Sequence, residues 1–187
     1  MWKFVQALNN PVDAFRSMNK WVAWTLVSLT ILINTVFEPL LRVWAGSMNH
    51  RISVPHMLLT TMLGLCTYVI ICAVFWLVSK GAGSKAGFAV YLSTWGLTYF
   101  PTILCSLIVA LTEVFFYIFW NSVIWGMVFN ILFVGILIWK TVLYVLYLRE
   151  VSGLRRKKMF GAFVVIGVFV ILLAMANGYV GLKTPIL

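Results

Sequence analysis

Acidic side chains are nearly missing from this 187-residue chain: four Asp and Glu stand against fourteen Lys and Arg. Asp13, Glu38, Glu113 and Glu150 are the whole set, and none forms an obvious pair with a nucleophile. No Ser/His/Asp arrangement accompanies them, so a catalytic centre is not expected and the chain reads as a non-enzyme. Histidine is equally scarce. His50 and His56 stand six apart with no Cys or carboxylate placed to help, so no metal site or cofactor is expected. Cys66, Cys72 and Cys105 all fall in apolar stretches and include no Cys-x-x-Cys pair. That excludes a disulfide framework and leaves them as packing residues. A cleavable leader and lipidation motifs are also lacking, so the first apolar run reads as a retained span.

Apolar sequence is what the chain has in quantity: 63% of it is hydrophobic. Five long runs lie near residues 21–38, 56–79, 88–112, 123–148 and 159–182. Runs of this kind approach the ~20 residues that carry a helix across a ~30 Å hydrocarbon layer. Lipid offers no partner for a bare amide, so such runs become helices. The expected fold is an all-α integral membrane protein, a bundle of five transmembrane helices. Residues 1–20 read as a separate interfacial amphipathic segment preceding residues 21–187. There Asn10 can cap a helix whose first turn holds Pro11. Val12, Ala14, Phe15 and Met18 share one face and Asp13, Arg16, Ser17 and Lys20 the other, as in a short helix lying on the membrane. Trp2 and Phe4 could dip into the same interface.

The formal charge of +10 belongs mostly to short links, which favours a lipid surface over nucleic acid as partner. With five spans, the N-terminal segment and the second and fourth links share one side and hold ten cations; the other side holds three. The positive-inside rule then places the N-terminus in the cytoplasm and the C-terminus outside. Arg155, Arg156, Lys157 and Lys158, consecutive beside the last span, suit anionic headgroups at about 1 kcal/mol each.

Several polar groups lie at membrane depth. Asn34 and Glu38 sit near the far end of the first span, with Arg42 at the spacing of an i,i+4 partner for Glu38. In the third span Thr94, Thr98, Thr102, Ser106 and Ala110 recur every four residues, Pro101 interrupts the helix, and Glu113 follows. This row is either a tight packing face or a kinked, polar-lined pathway. Lys140, in the fourth span, is expected to snorkel toward the cytoplasmic surface, because no carboxylate sits at its depth. Turned inward, it would mark a functional site. Ala174 and Gly178 form a small-residue packing pair in the fifth span, and Lys80–Gly87 a turn that lets two spans approach closely.

The order of these features resembles the Yip family, membrane proteins named for interacting with Ypt/Rab GTPases, and especially its short prokaryotic members. Asn10-Pro11-Val12-Asp13-Ala14-Phe15 precedes five spans, and Gly83-Ser84-Lys85 precedes a span with Tyr99-Phe100-Pro101. Ile138-Trp139-Lys140 is followed by Leu148-Arg149-Glu150-Val151-Ser152-Gly153 and a basic turn. The resemblance implies five spans, a cytoplasmic N-terminus, a bacterial or archaeal cytoplasmic membrane and a role in membrane organisation, with homo- or hetero-oligomers formed through transmembrane helices. The lead-in is short, so a Rab-type GTPase is not an expected partner. The leading expectation is an organiser or scaffold acting through helix packing and anionic lipid. The alternative is a small transporter or channel, with Thr98, Thr102, Ser106, Glu113 and Lys140 along its route.

Overall fold

The structure is a computed structural model that describes residues 9–45, 54–119 and 121–179, and only the backbone at positions 38 and 117. Trp2, Phe4, His50 and the last turn expected for the fifth run, 180–182, lie outside the described residues. Five helices are long and apolar enough to cross a membrane: Lys20–Trp44, Val54–Gly81, Phe88–Val114, Val123–Glu150 and Arg156–Tyr179. They are taken below as the first to fifth spans. Each begins or ends within a few residues of the boundaries expected from hydropathy, except at the far end of the first.

There the helix passes the boundary expected near residue 38. The helix runs on to Trp44 through a π-helical stretch, Ile33–Phe37. Proline has no N–H to offer the carbonyl one turn back, and its ring crowds that carbonyl. Widening the preceding turn absorbs the defect without ending the helix. Pro101 is accommodated differently. The third span is α-helical over Phe88–Thr94, tightens to a 3₁₀ stretch at Trp95–Tyr99, then resumes at Phe100 with Pro101 in its first turn. The missing N–H falls where a helix start has no use for one.

The 3₁₀ stretch lies in the centre of the bundle. Trp95, Gly96, Leu97, Thr98 and Tyr99 are all buried. Trp95 is tilted against Phe75 (4.0 Å between centroids) and Tyr144 (5.1 Å) and edge-on to Tyr147 (5.0 Å). Gly96 meets the backbone of the first span. A Cβ there would stand 2.2 Å from the Ala23 carbonyl oxygen, so only glycine fits. Close backbone approach of this kind drives helix association in lipid, where burial of apolar surface offers little. Gly178 does not act in this way. It is exposed with nothing within 4 Å of a built Cβ, whereas Ala174 is half-buried, so Gly178 is not at a close approach of spans within the described chain. The turn at Lys80–Gly87 joins the second and third spans, but Gly81 and Gly87 also face open space. What that turn needs is the positive φ of Gly83, +101°.

Asn10 and Pro11 start the N-terminal helix, Pro11–Ser17, as expected: the Asn10 side chain accepts from the Asp13 N–H. Its apolar face divides between two surroundings. Phe15 is fully buried in the bundle core, edge-on to Tyr147 at 5.5 Å, whereas Met18 is 40% exposed. The helix therefore docks on the fourth span rather than laying Phe15 into lipid. Arg16 Nε, 2.8 Å from Glu150 Oε2, reinforces the dock, and that hydrogen bond and charge raise the Arg16 pKa above its ordinary value. Asn19 caps the first span in turn, accepting from Val22 N–H.

Candidate functional site

Two polar regions come out of this packing, one at mid-depth and one at the end of the bundle formed by the second and fourth links.

At mid-depth, Lys140 is 1% exposed. This corrects the outward snorkel expected for it. Ten residues, or ~15 Å of helix at ~1.5 Å per residue, separate it from Glu150 at the span's end. Nearer partners are available inside. Its ammonium donates to Thr102 Oγ1 and stands 4.9 Å from the Tyr99 ring centre and 5.6 Å from that of Tyr144. A hydroxyl and two ring faces thus take the place of a carboxylate, with cation–π attraction strengthened by burial. The lysine joins the third span to the fourth at the point where Pro101 has reset the helix.

The other residues of the expected polar row do not line up with it. Thr98 is buried and donates to the Trp95 carbonyl in its own span. Ser106 Oγ is buried with no hydrogen-bond partner among the described residues. Asn34 donates to the Thr30 carbonyl, one turn back along the first span. Glu113 lies toward the opposite end, where its Oε2 accepts from Arg42 Nη2 at 2.9 Å. Arg42, expected beside Glu38, thus bridges the first and third spans; the Glu38 side chain lies outside the described residues. Lys140 with Thr102 and Arg42 with Glu113 are therefore two separate ties between spans. A cavity of about 10 Å³, lined by Pro11, Ala14, Phe15, Leu97, Phe100, Trp139 and Leu143, sits under the N-terminal helix. It is large enough for about one water molecule.

At the link end, a cluster of hydroxyls that the sequence reading did not single out holds two distant links together. Ser152, 4% exposed in the fourth link, accepts from Tyr91 OH at 2.8 Å and from Ser79 Oγ at 3.2 Å. Tyr91 OH also lies 3.3 Å from Ser84 Oγ, and Thr94 Oγ1 2.9 Å from Tyr147 OH. The fourth link turns inward for this. Val151 and Leu154 are buried beside Ser152, Leu154 N–H donates to the Leu148 carbonyl, and Gly153 makes the bend at φ +67°. Its signal in the sequence was the Val151-Ser152-Gly153-Leu154 alternation of buried and turn-forming types inside a link expected to be solvated.

Outside this cluster the cations are exposed. Lys80, Lys85, Arg149, Arg155, Arg156, Lys157 and Lys158 all face outward at one end of the bundle. Lys80 Nζ rests 4.9 Å from the Trp76 ring centre. The two carboxylates of this end are engaged, Glu150 by Arg16 and by Arg149 at 3.2 Å, and Asp13 by Asn10 at 2.6 Å. Arg156 opens the fifth span with φ +52°. Its first turn holds cations and no acid, the reverse of what a helix N-terminus favours.

Apolar spans crossing in alternate directions, polar ties buried between them and a cationic end together define a polytopic α-helical membrane protein, its outer helix faces in contact with lipid. Within that class, the chain matches the Yip1 domain over residues 5–177, and it belongs to that family. No curated protein and no solved structure matches it.

Proposed function

We propose that the protein is a non-enzymatic membrane organiser that gathers anionic lipid at its basic end and packs against partner helices through its outer faces. The observation that carries this reading is the separation of the polar groups. Inside, Lys140 is tied to Thr102 and Arg42 to Glu113 between spans, while Arg155, Arg156, Lys157 and Lys158 stand exposed with Lys80 and Lys85 on the same end. Four cations on a helix N-terminus repel its dipole, a cost that anionic headgroups offset. The same charge distribution supports an N-terminus in the cytoplasm and a C-terminus outside, in a bacterial or archaeal cytoplasmic membrane. The fifth span, the least buried of the five, exposes Phe160, Val164, Val168, Ile171 and Met175 and offers a face for a partner helix in a homo- or hetero-oligomer.

Conduction of an ion or small solute is the weaker reading. Lys140 is bonded to Thr102, Glu113 sits apart with Arg42, and the cavity beneath the N-terminal helix measures about 10 Å³, the size of a single water.

Replacing Arg155, Arg156, Lys157 and Lys158 with Gln tests the lipid half of the proposal. In nanodiscs of mixed neutral and anionic lipid, the enrichment of anionic lipid around the protein is expected to fall about tenfold or more, from ~1 kcal/mol lost per cation. Unchanged enrichment would remove the basis of the proposal.

A further inference from the structure

The basic end is more than a diffuse patch, because two of its links are locked together. The second link follows Ser79 and contains Ser84; the fourth contains Ser152. Ser79 and Tyr91 both donate to Ser152, and both are fully buried. This lock draws the basic turn of the fifth span over the Gly83 turn. Lys158 Nζ stands 3.5 Å from where a Cβ on Gly83 would lie. Lys85 is two residues from that turn and Lys80 three. Residues more than seventy positions apart in sequence thus bring the Lys158 ammonium to a glycine turn that Lys80 and Lys85 flank in the chain. The stacking of Lys80 on Trp76, itself edge-on to Phe88 at 5.6 Å, orders one of them. The carboxylates that could neutralise them, Asp13 and Glu150, are held by Asn10, Arg16 and Arg149.

We propose that the junction around Gly83 is a binding site for a single phosphomonoester, held by Lys85 and Lys158 with Lys80 alongside. The inference rests on the lipid-gathering reading and sharpens it from a charge effect to a headgroup preference. A phosphomonoester carries between one and two negative charges near neutral pH and presents three acceptor oxygens. A turn flanked by several exposed ammonium groups, each a point charge with three rotatable donors, suits it better than it suits a phosphodiester with one charge. Two sources share this chemistry: a phosphatidic-acid-type lipid and free phosphate.

The full chain, purified in neutral detergent, is titrated with dioctanoyl phosphatidic acid, with dioctanoyl phosphatidylserine and with inorganic phosphate. The same titrations are run on the Lys85→Met, Lys158→Met, Arg155→Met and Lys157→Met variants, with binding read by thermal shift. Phosphatidic acid is expected to bind more tightly than phosphatidylserine. Lys85→Met and Lys158→Met each weaken it about fivefold, the loss of ~1 kcal/mol per cation, and abolish the preference. Arg155→Met and Lys157→Met leave the preference intact. Ser152→Ala, which removes no charge, is expected to reduce the preference, because the two links are no longer tied. Competition by inorganic phosphate at equal concentration would assign the site to the free ion; lack of competition assigns it to the lipid. Equal weakening by all four single substitutions, with no preference between the two lipids, would overturn the site and leave diffuse lipid gathering standing. Failure of the wild-type chain to bind either lipid would overturn both.

Discussion

Gly96→Leu is expected to be the most damaging single substitution in the bundle. A Cβ at this position would lie 2.2 Å from Ala23 O, 2.7 Å from Ala23 C and 2.8 Å from Val27 Cγ2, and the first two are backbone atoms that no rotamer change can move. The first and third spans must separate, which loses the contact between Lys20–Leu32 and the 3₁₀ stretch along with the added strain. Overpacking of this kind reaches about 3 kcal/mol. Gly135→Leu is the matched control, since its Cβ would meet nothing within 4 Å on an exposed face. It should change stability by no more than about 0.5 kcal/mol. Unfolding both variants by titration with denaturing detergent checks the contrast. Equal stability would mean that the spans do not approach at Gly96.

The second large effect is expected at the mid-depth lysine, and it is asymmetric. Placing an ammonium inside the bundle costs several kcal/mol of lost hydration. One charge-assisted hydrogen bond from the ammonium to Thr102 Oγ1 returns about 1.5–3 kcal/mol, and ring faces about 2 kcal/mol. These terms nearly cancel, so Lys140→Met should fall within about 1 kcal/mol of the parent: the cost and its compensation leave together. Thr102→Val removes the compensation alone. It should cost about 2 kcal/mol, because the amine stays buried without its acceptor. In the double variant that cost should disappear, giving a coupling of about 2 kcal/mol in the cycle. Additive effects would show that the two side chains do not depend on one another.

Both predictions concern contacts between spans, and these are what the sequence conveyed least. The spans themselves were legible because length and hydropathy suffice to define a membrane helix. The basic link beside the fifth span was legible as a run of charge. Which faces meet was not. In a soluble helix the apolar stripe points to the core, but in lipid every face is apolar and the periodic signal vanishes. The Thr94–Ser106 row was visible and is buried throughout, yet its spacing did not indicate that Thr102 alone meets Lys140. Pro101 marked the break in the third span correctly, whereas the apolar run ending near residue 38 held no sign of the π turn that carries the helix on. Arg42 illustrates the limit of local spacing. Its i,i+4 neighbour was visible in sequence, but its bond to Glu113, 71 residues away, depends on how the spans pack.

Partition of polar groups between a dry interior and a basic end is the central claim, and Cys105 reports on the interior without any engineered probe. It is 1% exposed and adjoins Ser106, one turn beyond Thr102. With Cys66 and Cys72 replaced by Ala, the chain reconstituted in liposomes is treated from both sides with a charged methanethiosulfonate, and modification of Cys105 is followed by mass spectrometry of the intact protein. A packed interior leaves Cys105 unmodified until the protein is unfolded in denaturing detergent. Rapid modification in the folded, reconstituted protein would put water alongside Thr102 and Lys140, and would contradict the account.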